Sequence, residues 1–126
     1  MMAQFIDANI IIKAFTDNTD KERCRKALYE NFVTNTLCLV EAQHGISVIK
    51  NNKIYAVNCI KSLFKHNCTI VQLDKNLLFE SFRRVEKYNL NMFDLINYVT
   101  ALINNCSEFV SYDKDFNNLE VKRVEP

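Results

Sequence analysis

Apolar residues recur along this chain in two rhythms. Short runs rich in branched or aromatic side chains occur at Ala3 to Ile6, Phe32 to Asn35, Thr69 to Leu73, Phe109 to Tyr112 and Val121 to Val124, and each reads as a strand. Between them the apolar positions return every three or four residues, the spacing of a helix face. This predicts a helix from about Asn9 to Phe15. A second, capped by Thr19 or Asp20, runs to about Asn31 and turns Cys24, Ala27, Leu28 and Phe32 inward. A third begins at Leu37 and carries Leu37, Val40, Ile46 and Val48 inward. A fourth follows Asn51-Asn52 with Ile54, Val57, Ile60, Leu63 and Phe64. Asp74 caps a fifth containing Leu77, Leu78, Phe82 and Val85, and a sixth runs from Met92 to Ile103 through Phe93, Ile96 and Val99.

Short strands separated by helices imply right-handed crossovers and a mainly parallel sheet covered on both faces. The expected fold is therefore a three-layer α/β/α sandwich. Gly45 and Pro126 are the single glycine and proline, so asparagines must punctuate the turns, at Asn51-Asn52, Asn104-Asn105 and Asn117-Asn118. No repeat, linker or biased tract divides the 126 residues, which are expected to form one domain.

Composition narrows the function classes. A net charge of +1 with 25% charged residues excludes a polybasic nucleic-acid binder, though not an enzyme with a local basic strip. The apolar Phe5-Ile6 pair meets Asp7 at once and has no basic region before it, unlike a secretory signal, and no apolar run approaches the ~18 residues of a membrane span. The five cysteines, Cys24, Cys38, Cys59, Cys68 and Cys106, are odd in number and contain no Cys-x-x-Cys pair. They read as free thiols of a reducing, cytoplasmic setting, and Cys59, His66 and Cys68 lack the spacing and the fourth ligand of a zinc site.

Four acids carry the candidate chemistry. In open α/β sheets the working crevice lies beyond the carboxyl ends of the strands. Asp7 ends the first strand and Asp113 follows the strand Phe109 to Tyr112. Glu41 and Asp94 each interrupt an apolar helical segment, where an isolated charge is costly unless paired, capped or metal-bound. Were the four to converge, each pair about 5 Å apart would repel by roughly 3 kcal/mol at an effective dielectric of about 20. Oxygen-only ligation without nearby Cys or His suits magnesium or manganese better than zinc.

Phe5-Ile6-Asp7-Ala8-Asn9-Ile10-Ile11 resembles the opening signature of the PIN-domain family, a strand ending in Asp-x-Asn/Ser and followed by apolar residues. Thr34 through Glu41 is similar to its second block, Asp94 through Leu102 to its third, and Ser111-Tyr112-Asp113-Lys114-Asp115-Phe116 to its closing block. The blocks stand in the family's order over nearly the whole chain. The resemblance implies an endoribonuclease with a magnesium or manganese centre, commonly the toxin of a VapBC-type toxin–antitoxin pair. It implies Asp7, Glu41, Asp94 and Asp113 as catalytic, metal-centred acids. Asn9 and Ser111 become supporting hydrogen-bonders and Asp115 a fifth acid, with RNA as substrate, an antitoxin as partner and a homodimer as the assembly. Lys13, close after the first block, is placed to touch substrate.

Each aspartate alone also reads as a helix cap, but capping explains neither Glu41 nor four family-like blocks in order. His44 reads as a surface or partly buried helix residue, and the basic stretches Lys21 to Lys26 and Arg83 to Lys87 as solvated faces. The aromatic residues, Phe64, Phe79, Phe82 and Phe93 among them, read as core. Within the family the alternatives are a housekeeping RNA-processing nuclease and a catalytically silent scaffold that binds RNA or protein. A phosphorelay receiver domain is also a small parallel α/β protein with clustered acids, but its paired acids, phosphoacceptor and late lysine do not appear.

Overall fold

The computed structural model describes residues 3–126. The strands are β1 (Gln4–Ile6), β2 (Phe32–Asn35), β3 (Cys68–Val71), β4 (Glu108–Val110) and β5 (Lys122–Val124). All pair in parallel, in the order β3-β2-β1-β4-β5. From β1 the chain steps one way to β2 and β3, then returns across the sheet to β4 on the other flank of β1. Right-handed crossovers therefore send the connections of the two halves to opposite faces. On one side α1 (Ala8–Ala14) contacts α2 (Lys21–Ala27) and α3 (Thr36–Lys50), and α3 contacts α4 (Lys53–Leu63). On the other, α5 (Lys75–Phe82) contacts α6 (Met92–Ile103), which packs over β2, β1 and β4. This is the expected three-layer sandwich. The reversal of strand order at β1 opens a crevice at its carboxyl end.

Phe5, in the central strand, stacks on Phe109 of β4 at 4.9 Å between ring centroids, and Phe109 packs against Phe116 and Tyr98. Tyr98 is fully buried and its hydroxyl accepts the Val121 N–H at 2.9 Å, tying α6 to the segment before β5. Asparagines do turn the chain. Asn51, Asn105 and Asn118, one from each pair, hold φ values of 48°, 56° and 63°, the left-handed region that asparagine tolerates better than most side chains. The cysteines are free, and all but Cys68 are buried. No helix among the described residues is long and apolar enough to cross a membrane.

Several expectations need correction. α2 stops at Ala27 rather than near Asn31, and Asp20 makes no capping bond because its carboxylate is engaged by Lys13 and Arg23. β4 ends at Val110, leaving Ser111 and Tyr112 on the loop beyond it. In α3 the buried stripe is Cys38, Leu39, Ala42 and Ile46, while Val40 and Val48 are about two-thirds exposed. A helix carrying two apolar stripes can seat either, and here the narrower one faces inward because α1 lies close: a Cβ added at Gly45 would stand 2.4 Å from Ile12 Cδ1. The same choice exposes Ile54, Val57 and Phe64 on α4 and buries Ala56, Cys59, Ile60 and Leu63. Phe79 and Phe82 are likewise exposed because α5 is short and buries few of its residues against the body, and Val85 beyond its end and Phe93 in the first turn of α6 are exposed as well.

Candidate active site

Asp7 follows β1 directly and caps α1, its Oδ1 accepting the Ala8 N–H at 2.9 Å. Its Oδ2 accepts the Ser111 hydroxyl at 2.7 Å and the Asn9 amide at 3.4 Å. The pairing of Ile6 with Val110 sets the first residue beyond β4, Ser111, beside the first beyond β1. The same hydroxyl accepts from Asn9 Nδ2 at 3.3 Å and from the Asp113 N–H at 3.0 Å. Asp113 in turn caps the 3₁₀ turn Lys114–Phe116, accepting the Asp115 N–H at 2.9 Å. Asp94 lies in the first turn of α6, where the helix dipole favours an acid. It is not the cap. Asn91 fills that position, accepting the Asp94 N–H at 2.9 Å while donating its own amide to Asp94 Oδ2 at 3.0 Å. The cap reading thus fits Asp7 and Asp113, each with one oxygen, and fails for Asp94 and Glu41.

Asp94, Asp113 and Asp115 each bring a carboxylate oxygen into a group lying within 4.8 Å of one another. Asp7 and Glu41 stand outside that group but are coupled to it by charge. Burial pushes the Asp7 carboxyl up to about 6 against the pull of its Ser111 and Ala8 hydrogen bonds, and the charges of Asp94 and Glu41 push the same way. Asp94 is also pushed up to about 6, first by burial and then by Asp113, Glu41 and Asp115. Glu41, half-buried in the second turn of α3, is raised by burial and held down by the Asn97 amide, which donates to its Oε1 at 3.4 Å. Burial is the largest cause of each shift, and a cation would relieve the repulsion that adds to it at Asp7 and Asp94.

The donor set fits a hard divalent ion. It is made of oxygens, and beside it Asn9 Oδ1 is buried without a hydrogen-bond partner, an acceptor that a bound water or ion would satisfy. The remaining sequence candidates separate. Lys13 is held by Asp20 at 3.3 Å and lies 5.3 Å over the ring of Tyr112, so it meets the neighbour of Asp113 rather than an acid of the cluster. The basic stretches are largely ion-paired, Arg23 with Asp20 and Lys21 with Asp17 at α2, and Arg83 and Arg84, just past the end of α5, with Glu80. His44 is exposed.

Two residues escaped the sequence reading. Asn35, the last residue of β2, caps α3 and donates to Asn97 Oδ1 and Thr100 Oγ1, and Asn97 reaches Glu41. The available signal was spacing, since Asn97 stands three residues after Asp94 and so shares its helix face.

A five-stranded parallel sheet of this order, with acids gathered beyond its carboxyl ends, defines an open α/β fold with an acidic crevice at its topological switch point. The chain belongs to the PIN-domain family: the sequence model of the PIN domain matches residues 5–122, a span containing all five acids. No curated protein sequence matches the chain. Three solved structures share its fold at low identity. VapC20 of Mycobacterium tuberculosis, a toxin that cleaves the sarcin-ricin loop, is 11% identical with a TM-score of 0.80, covering 98% of this chain and 100% of that one. A toxin–antitoxin complex from Klebsiella pneumoniae is 16% identical at a TM-score of 0.75, covering 97% and 96%. VapBC2 of Rickettsia felis, bound to a DNA fragment from its promoter, is 15% identical at a TM-score of 0.72, covering 98% of each chain.

Proposed function

We propose that this chain is a metal-dependent endoribonuclease, the toxin of a VapBC-type pair. The observation that carries the reading is the close group of Asp94, Asp113 and Asp115, with Asp7 and Asp94 each pushed up to about 6, Asp7 by burial and the charges of Asp94 and Glu41, Asp94 by burial and the charges of Asp113, Glu41 and Asp115. Asp94 and Asp113 would hold a magnesium or manganese ion, with Asp7 and Glu41 as further ligands and Asp115 at the rim. When bound, such an ion supplies Lewis acidity toward a phosphodiester and a water molecule. The protein's own part is positional. Ser111 and Asn9 fix Asp7 at Oδ2, Asn91 fixes Asp94, and Glu41 orients water for in-line attack on phosphorus, leaving a 5′-phosphate on the product. Lys13, at the edge of the crevice, exchanges Asp20 for an RNA phosphate.

An antitoxin is the natural partner. Between α3 and α4 lies an apolar groove of about 320 Å³, lined by Leu39, Val40, Val57, Ile60 and Phe64, a surface suited to an amphipathic helix. The exposed aromatic residues of α5 and α6 would seat a second copy. The reading is tested by inducible expression in a bacterial host: growth should arrest, new RNA ends should carry 5′-phosphate, and Asp94→Asn should restore growth at equal protein level. Normal growth with soluble wild-type protein and no new RNA ends would favour the silent scaffold.

A further inference from the structure

Asn97 is 1% exposed and sits in an apolar stretch of α6 between Ile96 and Tyr98. A buried amide has to satisfy both its oxygen and its nitrogen, and here its orientation is dictated from elsewhere. Asn35 Oδ1 accepts the Cys38 backbone N–H at 2.7 Å. A backbone N–H can only donate, so the Asn35 amide cannot be flipped. Its Nδ2 therefore faces the other way, donating to Thr100 Oγ1 at 2.9 Å and to Asn97 Oδ1 at 3.0 Å. With its oxygen so engaged, Asn97 must turn its Nδ2 outward, toward Glu41 Oε1 at 3.4 Å. Polarity is thus passed from a helix N-terminus through two side chains to one carboxylate, and no step offers an alternative tautomer or flip.

The relay also joins elements that the chain brings together from afar. Asn35 ends β2, Glu41 belongs to α3 and Asn97 to α6. Among the described residues, the side-chain hydrogen bond that Glu41 receives comes from Asn97. An acid on a long flexible side chain has several rotamers available at the mouth of a crevice, and a donor that meets one oxygen selects among them. An apolar side chain at position 97 would fill the same space without that selection.

We propose that Asn97 is a positioning residue for Glu41: held in one orientation by Asn35, it presents its amide to the carboxylate and fixes Glu41 in the crevice as an oxygen donor to the cation centre. The proposal rests on the reading of the site as a metal-dependent nuclease. Outer partners of metal ligands of this kind commonly change metal affinity or activity by about 10–100-fold.

The test is a mutant cycle of Asn97→Leu and Glu41→Ala, read by manganese affinity in calorimetry, by kcat and KM on a cleaved RNA, and by thermal unfolding. Asn97→Leu should weaken manganese binding and lower kcat by about tenfold or more, with KM little changed, and should add nothing in the Glu41→Ala background. Asn35→Ser keeps a hydroxyl cap for α3 but frees the Asn97 amide, so it should weaken manganese binding in the same direction. It supplies the answer should the Leu variant unfold. Unchanged manganese affinity in Asn97→Leu or Asn35→Ser, or an effect that adds fully to that of Glu41→Ala, would overturn the proposal. If the wild type cleaves no RNA, the nuclease reading fails, while the manganese cycle still decides the relay.

Discussion

Ser111 donates its hydroxyl to Asp7 Oδ2 at 2.7 Å across 104 residues of sequence, and Ser111 Oγ in turn accepts the N–H of Asp113. One buried hydroxyl thereby fixes acids that follow two adjacent strands. Removing it leaves the Asp7 carboxylate short of a donor in a water-poor place. Ser111→Ala should cost about 1–3 kcal/mol of stability and weaken manganese binding, measured by urea unfolding and calorimetry. An alanine variant equal to the wild type in both would show that the bond organises nothing.

The acids repel one another without a cation, and neutralising one should relieve the others. Asp94→Asn keeps the shape and the capping by Asn91 while removing a charge that faces Asp113, Glu41 and Asp115. In the presence of chelator at pH 7.5 this variant should be more stable than the wild type by about 1 kcal/mol after solvent screening, and it should gain no stability from added manganese. Lower stability with chelator present would mean that Asp94 is structural.

The raised carboxyls also set a pH dependence. With Asp7 near 6 when folded and near 3.8 in its ordinary state, the folded protein binds more protons between those values. Stability of the metal-free protein therefore falls as pH rises from about 4 to about 6, Asp7 contributing up to roughly 3 kcal/mol of that fall. The depressed acids oppose this trend only near its acid edge, because Glu80 and Glu120 begin to lose their stabilising contribution as pH falls through 4.5 and Asp17 and Asp20 as it falls through 3.8. Urea midpoints should be higher at pH 5 than at pH 7.5, and manganese should close the gap because it binds the deprotonated acids. A metal-free protein more stable at pH 7.5 would contradict the electrostatic account.

Gly45 lets α3 approach α1. An added methyl would meet Ile12 Cδ1 at 2.4 Å and Cγ1 at 2.9 Å, a crowding that outweighs the gain in helix propensity. Gly45→Ala should lower stability by about 1 kcal/mol, and it should cost less in an Ile12→Val background, which removes Cδ1, than in the wild type, as read by thermal unfolding. A stabilised Gly45→Ala would show that Ile12 moves aside freely.

These particulars mark what could be read from the chain. The strand and helix order was legible because each strand is a short branched or aromatic run and each helix repeats at 3.6. Asn51, Asn105 and Asn118 were legible as turns because a chain with one glycine leaves few other residues for positive φ. The positions of Asp7 and Asp113 followed from their places at strand ends. Val40, Ile54 and Phe64 were misplaced because periodicity identifies a stripe and not its partner, and the narrow Cys38-Ala42 stripe wins only through close packing on α1. Asn35 and Asn97 were missed for a different reason: the spacing of Asn97 after Asp94 marks a shared helix face, but its meaning lies in a hydrogen bond between residues 62 apart, which no local pattern encodes. Asp115 joins Asp94 and Asp113 through a 3₁₀ turn that the sequence did not announce.

The most direct measurement is cleavage of labelled single-stranded and structured RNAs by the purified protein with magnesium, manganese or chelator, beside Asp94→Asn. The account predicts cutting that needs the metal and disappears in the variant. Cutting that persists in chelator, or equal cutting by Asp94→Asn, would contradict it.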